Sequence, residues 1–287
     1  MNETAPHVGD AELAVCPICP HHCRLKDGQW GRCHGRRAEH GIVMCANYGE
    51  VTALALDPIE KKPLARFRPG TTVLSVGSYG CNLHCPFCQN ADIAQARAGE
   101  VPARHVTPDQ LVAEALRLRE RGCIGIAYTY NEPSISYEFV HDTAVAAHEA
   151  GLVNVLVSNG MICAEPLRVL APYLDAANID LKGPSQAFYD YVGGDYETVK
   201  QAIRILFEAG CHVEVTTLVI PDRNDDLDGI EDIARWLASV DPSIVYHLTR
   251  FFPCYRERDL PPTPRKTLEA AKKRARRHLH TVLLGNI

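Results

Sequence analysis

Three cysteines, Cys81, Cys85 and Cys88, stand close together in the stretch GCNLHCPFCQN. Their spacing is C-x3-C-x2-C, and they follow a short apolar run at residues 73–76. Three thiolates on one short loop can bind a metal ion or an iron–sulfur cluster and leave one coordination position open. Zinc, with His84 as a fourth ligand, is one candidate occupant. A 4Fe-4S cluster whose fourth iron is free to bind a small molecule is the other.

A second group of four cysteines lies upstream in CPICPHHCRLKDGQWGRC. Four thiolates complete a tetrahedral site, so this group predicts a closed, structural centre for which zinc is the simplest choice. A second iron–sulfur cluster is the alternative, because four cysteines also close a cluster. A set of unligated thiols is the third interpretation. The four residues are Cys16, Cys19, Cys23 and Cys33.

From residue 71 onward the hydrophobic pattern alternates between strands and helices. Continuous apolar strands such as VNVLV favour a parallel sheet, and repeated strand–helix units favour a doubly wound sheet or a barrel. A polar cluster follows each strand, which favours a barrel whose site lies at one mouth. The strands are expected near 73–77, 124–128, 153–157, 176–181, 212–219, 244–251 and 281–284. The helices are expected near 108–121, 134–149, 164–172, 196–209, 226–239 and 264–278.

The polar residues at the strand ends suit a zwitterionic ligand that carries a nucleoside. Glu132 could accept a hydrogen bond from an ammonium group, and Asn159 and Asp180 could meet ribose hydroxyls. Lys182 could meet a carboxylate. Each residue also has a structural interpretation: Asn131 and Asn159 are common turn formers, and Asp180 and Lys182 could pair at the rim. Several such clusters at one mouth favour a binding site.

Composition places the chain among ordinary globular proteins. Of its 287 residues 46% are hydrophobic and 23% are charged, and the net charge is −5. The length fits one or two domains. The N-terminus shows no secretion signal, so the twelve cysteines are expected to be reduced and the protein cytoplasmic. No run is apolar enough to span a membrane. The basic helix at 264–278 is the only feature that favours nucleic-acid binding, and such a run is more often a solvated face.

The pattern divides the chain into two parts. Residues 1–70 form a cysteine-rich N-terminal extension, and residues 71–287 form the barrel. Within the extension, residues 42–56 are expected to form a hairpin, because two β-prone runs flank Tyr48, Gly49 and Glu50. The fold class is therefore α/β, a partial (β/α)6-type TIM barrel with a small cysteine-rich extension.

The cysteine loop resembles that of the radical S-adenosylmethionine (SAM) superfamily, including the aromatic Phe87 before the last cysteine. Further stretches resemble its AmmeMemoRadiSam branch, which is related to the activating enzymes of glycyl radical enzymes. The resemblance covers residues 16–287. Those stretches are DPIEKKPLARFRPG (57–70), YTYNEPS (128–134), NIDLKG (178–183), TTLVIPDRND (216–225), LLGNI (283–287) and the N-terminal CPICPHHC.

The resemblance implies a 4Fe-4S cluster on Cys81, Cys85 and Cys88, with SAM bound to the open iron. It implies reductive cleavage of SAM to methionine and a 5′-deoxyadenosyl radical, which abstracts hydrogen from an unidentified substrate. No acid–base pair is required. The residues expected to contact SAM are Phe87, Tyr130, Asn131, Glu132, Ser158, Asn159, Asp180, Lys182 and Thr216.

Three alternatives for function stay open at the level of sequence. The first is a small-molecule substrate handled together with Memo-like and AMMECR-like proteins. The second is an activating enzyme that installs a glycyl radical on a partner protein. The third, of another class, is a zinc-stabilised binding protein without turnover. Both enzymatic alternatives require an electron donor such as flavodoxin or ferredoxin.

Overall fold

The computed structural model of the protein describes residues 13–287. The segment MNETAPHVGDAE, in which the sequence predicts no secretion signal and a frayed start, lies outside the described residues. Among residues 13–287, no helix has both the length and the apolar character that a membrane crossing requires.

From residue 71 onward, the strands and helices follow the predicted alternation. The strands are β1 (Ala14–Val15), β2 (Arg24–Leu25), β3 (Arg36–Glu39), β4 (Ile42–Cys45), β5 (Glu50–Val51), β6 (Ala53–Pro58), β7 (Thr72–Gly77), β8 (Arg104–His105), β9 (Cys123–Tyr128), β10 (Val153–Ser158), β11 (Ala176–Asp180), β12 (His212–Val219), β13 (Val245–Arg250) and β14 (Val282–Gly285). The helices are α1 (Ala91–Ala94), α2 (Pro108–Arg117), α3 (Tyr137–Glu149), α4 (Ala164–Leu170), α5 (Gln186–Val192), α6 (Tyr196–Glu208), α7 (Leu227–Val240) and α8 (Arg265–Ala275).

One eight-stranded sheet forms the body of the protein, in the order β14-β13-β12-β11-β10-β9-β7-β6. Each neighbouring pair from β7 to β14 is parallel, and β6 alone pairs antiparallel, with β7. Helices pack outside the parallel strands, as the continuous apolar strand sequences require. The sheet ends at β6 and β14 without joining them, so the barrel is open. The predicted partial barrel is confirmed.

Local sequence explains the helix starts that were predicted. Thr107 accepts a hydrogen bond from the Gln110 amide, and Gln110 bonds back to the Thr107 amide, so a capping box begins α2. Gly122 adopts a left-handed conformation with φ of +81°, which a side chain disfavours, and it ends the short turn after α2. The short helices α1 and α5 are structural additions to the predicted pattern.

The predicted hairpin over residues 42–56 is wrong. β4 pairs with β3, and β5 pairs with β8, which lies about fifty residues further along the chain. β6 joins β7 at the edge of the main sheet. The run IVMC and the run ALALDP are both β-prone, but their partners lie elsewhere, and strand propensity does not specify a partner. The expected division at residue 70 therefore runs through the main sheet.

The segment 59–70 fills the end of the barrel that lies opposite the cysteine loop. Ile59 and Leu64 are fully buried against residues near the N-terminal ends of the strands, among them Val73 and Val153. The carboxylate of Glu214, near the start of β12, accepts hydrogen bonds from the backbone amides of residues 65 and 66 at 3.0 and 2.7 Å. This barrel plug, residues 59–70, leaves the other end as the accessible mouth.

Candidate active site

A cavity of about 370 Å³ lies at the mouth, where the parallel strands end. That volume falls within the range of about 300–1,000 Å³ that is typical of small-molecule sites. All twelve residues that the sequence predicts as cluster or SAM ligands line it. They are Cys81, Cys85, Cys88, Phe87, Tyr130, Asn131, Glu132, Ser158, Asn159, Asp180, Lys182 and Thr216.

The cysteine loop is positioned by the end of β7 and by tight turns. Gly80 adopts a φ of +85° and lies so close to Cys33 that a Cβ atom would sit 2.3 Å from the Cys33 carbonyl oxygen. The amide of Leu83 donates to Cys81 Sγ at 3.4 Å, and the amide of Cys88 donates to the Cys85 carbonyl at 3.2 Å. These bonds turn the loop so that all three thiols face the cavity.

Burial keeps these thiols protonated when no metal is bound. It raises the pKa of Cys85 to about 12, against the opposing effect of the nearby Lys182 ammonium. It also raises the pKa of Cys81 and of Cys88. Thiolates are the metal-binding form, so iron must displace these protons when it binds.

The positions of the side chains in the cysteine loop distinguish its two candidate occupants, a zinc ion and a 4Fe-4S cluster. Within residues 13–287, no three His, Cys, Asp or Glu side chains are gathered in a way that could hold one metal ion. His84 is not among the residues that line the cavity with the three thiols, and its Nδ1 lies 3.0 Å from Gln95 Oε1. A four-iron cluster takes each thiolate at a different iron, so it does not require the sulfurs to meet at one point.

Glu132 is almost fully buried and connects two strand ends. Its carboxylate accepts hydrogen bonds from the Ser158 hydroxyl at 2.8 Å and from the amides of Asn159 and Ser134 at 2.8 and 2.9 Å. Burial raises its pKa, and the amide hydrogen bonds oppose that rise. Glu132 therefore fixes the turn after β10 against the turn after β9.

Asp180 and Lys182 form an ion pair at the end of β11. The Lys182 ammonium donates to Asp180 Oδ2 at 2.7 Å, and its side chain is 17% exposed. Burial alone would lower the pKa of Lys182, but the charge of the Asp180 carboxylate and its hydrogen bond to the ammonium raise it. The site therefore holds a permanent positive charge beside the thiols of Cys85 and Cys88.

Asn131 and Asn159 both brace the cysteine loop. Asn131 Oδ1 accepts from the Ser78 amide at 2.9 Å, and its Nδ2 donates to the carbonyl oxygens of Tyr79 and Gly80. Asn159 Nδ2 donates to Asn82 Oδ1 at 2.9 Å and lies 3.6 Å from Cys81 Sγ. Both side-chain amides line the cavity, and both also hold the loop that carries the thiols in position.

The remaining predicted SAM contacts, Tyr130, Phe87 and Thr216, line the cavity and also contact other residues of the protein. Tyr130 has a strained φ of +71° and directs its hydroxyl to Asp57 Oδ2 at 2.7 Å. Phe87 packs near Phe188, with ring centroids 6.2 Å apart. Thr216 donates to Asn178 Oδ1 at 2.9 Å.

Sequence reasoning did not assign several other lining residues. Two of them, Lys61 and Pro63, come from the barrel plug, and Asn286 follows β14. Their stretches, DPIEKKP and LLGNI, carry the sequence resemblance, which was the available signal for them. Five of the others also lie in stretches that carry the resemblance, whereas Ala94, Val157 and Thr249 had no distinctive pattern. The others, taken together, are Leu83, Gln89, Asn90, Ala94, Thr129, Val157, Leu218 and Thr249.

Three polar residues on or just after β13, His247, Arg250 and Tyr255, lie away from the cavity lining. His247 Nε2 lies 2.5 Å from Glu214 Oε2, deep in the barrel. The guanidinium of Arg250 donates to the Thr263 carbonyl at 2.8 Å. Tyr255 lies in the loop after β13 with a φ of +51°. None of the three is among the residues that line the cavity within the described chain.

Known proteins resemble the chain along most of its length. An uncharacterized protein of Methanocaldococcus jannaschii is 41% identical over 280 residues, covering 97% of this chain and 83% of that protein. A radical SAM methyltransferase from Sphaerobacter thermophilus has a similar fold, with a TM-score of 0.59 and 19% identity over 76% of this chain and 67% of the other. A domain of pyruvate-formate lyase-activating enzyme from Bacteroides vulgatus gives a TM-score of 0.50 and 16% identity over 56% and 98%.

The sequence profile of the Radical SAM superfamily matches residues 75–237, which is more than half of the chain. The matched region runs from within β7 through most of α7 and includes all three loop cysteines. Proteins of this family use a 4Fe-4S cluster and SAM. The cavity fits both, because three thiols, a buried carboxylate and a lysine–aspartate pair face one space. The chain belongs to the radical SAM superfamily.

Proposed function

We propose that the protein cleaves SAM reductively and uses the resulting radical to take a hydrogen atom from a substrate. One observation carries this proposal: the thiols of Cys81, Cys85 and Cys88 line the same cavity as Glu132 and Lys182. The three thiols would hold the cluster. The charged and polar side chains opposite would hold the amino acid and the nucleoside of SAM.

The geometry supports a division of roles among the lining residues. Lys182 supplies a buried positive charge that suits a carboxylate, and its partner Asp180 supplies acceptors for hydroxyl groups. Glu132 offers a negative charge for an ammonium group while it holds Ser158 and Asn159 in place. Phe87, Tyr130 and Thr216 bound the space, and Asn131 and Asn159 orient the thiol loop.

When bound, the cluster and SAM would supply one reaction, the one-electron reductive cleavage of SAM to methionine and a 5′-deoxyadenosyl radical. The protein contributes binding, orientation and shelter from water. The barrel plug closes one end of the barrel, and Phe87, Leu83 and Leu218 give the cavity apolar walls. Shelter matters here because a carbon radical reacts with most neighbouring groups.

Production of 5′-deoxyadenosine tests the proposal. Protein reconstituted anaerobically and reduced should convert SAM to 5′-deoxyadenosine and methionine, and Cys85→Ala should abolish the conversion. Cys254→Ala is the matched control, because Cys254 Sγ lies 3.3 Å from the Phe87 carbonyl but outside the C-x3-C-x2-C spacing, and it should retain activity.

Metal analysis separates the proposal from the zinc-stabilised binding protein. About four iron and four sulfide per cluster are expected after reconstitution. Protein that takes up zinc alone and cleaves no SAM would contradict the proposal.

For the substrate we favour a small molecule, processed with Memo-like and AMMECR-like partners, because residues 57–70 and 283–287 resemble the AmmeMemoRadiSam branch and both stretches reach the cavity. A glycine backbone on a partner protein is the second candidate, supported by the resemblance of NIDLKG to the activating enzymes.

Electron paramagnetic resonance of a candidate partner protein after turnover separates the two substrate candidates, since only a glycyl radical persists on protein. Transfer of deuterium from labelled substrate into 5′-deoxyadenosine would identify the reacting position.

A further inference from the structure

The cysteine knuckle, residues 13–47, carries five thiols that the chemistry at the mouth does not use, and four of them have the spacing C-x2-C-x3-C-x9-C. Cys16, Cys19 and Cys33 are less than a tenth exposed, and Cys23 is half-buried. The His22 amide donates to the Cys19 carbonyl at 3.1 Å, and His22 Nδ1 lies 3.4 Å from the Cys16 carbonyl, so Cys16, Cys19 and Cys23 surround one tight turn. The Cys16 amide also donates to the Cys23 carbonyl at 3.0 Å, closing the loop between them.

Apolar burial does little to hold this knuckle together. Its hydrophobic cluster contains three buried residues, Ala14, Leu25 and Ala38. Four of its larger apolar side chains are exposed instead. Segments of fewer than about 40 residues usually need disulfides, a metal or association with another unit to hold a fold. All the cysteines of the chain are free thiols, so disulfides do not supply the cross-link. The four exposed residues are Val15, Trp30, Ile42 and Met44.

The knuckle packs directly on the two turns that carry the mouth. The Cys33 carbonyl accepts from the Cys81 amide at 3.1 Å, and His21 Nε2 lies 2.8 Å from the Asn82 carbonyl. On the other turn, the Cys163 amide donates to the Ile18 carbonyl at 2.8 Å. Because of these hydrogen bonds, the position of the knuckle cysteines and the position of the thiol loop depend on each other.

We propose that Cys16, Cys19, Cys23 and Cys33 hold a second, thiolate-bound metal centre that fastens the knuckle against the thiol loop. Zinc and an iron–sulfur cluster share this chemistry. No three of these side chains are yet arranged to hold one ion, so zinc requires them to turn inward, while a cluster takes them at separate irons. Cys163, with Sγ 3.9 Å from His22 Nε2, lies at the edge of the group and outside the ligand set. This centre does not depend on the proposed SAM chemistry.

The full-length triple variant C81A/C85A/C88A isolates the second centre, because it lacks the thiols of the first. It is purified without oxygen, offered iron with sulfide or zinc, and analysed for both metals. About one zinc, or about four iron with four sulfide, per chain is expected and identifies the metal. A triple variant that binds neither metal overturns the proposal and leaves the SAM chemistry of the wild type untouched.

Substitutions in the triple variant test the ligand assignment. Adding C16S/C19S should reduce the bound metal at least tenfold. Cys45→Ser is the matched control from the same knuckle, since Cys45 Sγ bonds to Asn47 Oδ1, and it should retain the metal. Cys163→Ser should retain it as well. Equal metal content with and without C16S/C19S would contradict the ligand assignment. Loss of metal in Cys45→Ser or Cys163→Ser would contradict it as well, whether or not C16S/C19S perturbs folding.

Discussion

Asn131 and Asn159 illustrate what single residues do at this mouth. Both were predicted to contact SAM, and both line the cavity. Their amides are already engaged with the thiol loop, through Ser78 and Gly80 for Asn131 and through Asn82 for Asn159. A side chain whose hydrogen bonds are satisfied within the protein contributes by placing its neighbours. Glu132 acts in the same way on the turn after β10 while keeping its charge next to the cavity.

The buried charge of Lys182 gives a prediction for the cluster's reduction potential. Reduction adds negative charge to the cluster, and a nearby ammonium stabilises that charge. Lys182→Met should therefore lower the potential by roughly 50–100 mV, taking an interaction of about 1–2 kcal/mol and one electron. Potentiometric titration followed by electron paramagnetic resonance measures the shift.

Lys182→Arg is the control for this prediction, because it keeps the positive charge beside Asp180 and should stay close to the wild-type potential. Equal potentials in wild type and Lys182→Met would show that the ammonium does not act on the cluster.

At the scale of secondary-structure elements, features encoded by neighbouring residues could be predicted from the sequence. Pairings between residues far apart in the chain could not. The apolar runs of the parallel strands and the polar residues directly after each run are local signals in the sequence. These signals predicted the barrel and its mouth. The run IVMC carried no signal for its partner β3, so the hairpin prediction failed. The barrel plug was also beyond reach, because the contact between Glu214 and residues 65 and 66 spans about 150 positions.

Glu214 makes the stability of the barrel plug depend on pH. Burial would raise its pKa, but hydrogen bonds from His212, His247 and the two plug amides outweigh it and lower the pKa to about 2. A lowered native pKa means that the carboxylate stabilises the fold above the unfolded value of about 4.3, and that the effect is lost as pH falls toward 2. Its full size is of the order of 3 kcal/mol.

The variant Glu214→Gln tests this pH dependence by urea denaturation of the apoprotein. At pH 7 it should unfold at a clearly lower urea concentration than the wild type. At pH 3 the difference in unfolding free energy should be about half as large, because protonation removes the advantage of the wild-type carboxylate. A difference that is constant between pH 7 and pH 3 would contradict this account.

At the scale of the whole molecule, the knuckle, the thiol loop and the barrel form one continuous packing arrangement around the mouth. Gly80 lies at the centre of it: the Gly80 amide donates to the Ile93 carbonyl of α1, and its missing side chain leaves room for the Cys33 carbonyl. Neither the contact nor the need for it is visible in the sequence, where Gly80 resembles any other turn glycine.

Comparison of two glycines tests whether this close approach matters. Gly80 and Gly99 have nearly equal φ angles of +85° and +82°, but a Cβ at Gly99 would meet no atom within 4 Å. Gly99→Ala should cost about 1–2 kcal/mol from backbone strain alone. Gly80→Ala should cost about 1–3 kcal/mol more, because Cys33 must move, and should reduce iron incorporation at the thiol loop.

Thermal unfolding and iron analysis of the two glycine variants provide the comparison. Equal effects of the two substitutions on unfolding temperature and iron content would mean that the knuckle and the loop are not coupled.

We expect the cluster at Cys81, Cys85 and Cys88 to have an open iron that binds SAM within the mouth. Electron–nuclear double resonance of the reduced cluster, with SAM labelled by ¹⁵N in its amino group or ¹⁷O in its carboxylate, measures that contact directly. Hyperfine coupling from both labels is predicted in the wild type, and its loss in Cys85→Ala. A reduced 4Fe-4S cluster that shows no coupling to either label, with SAM present in excess, would contradict the account.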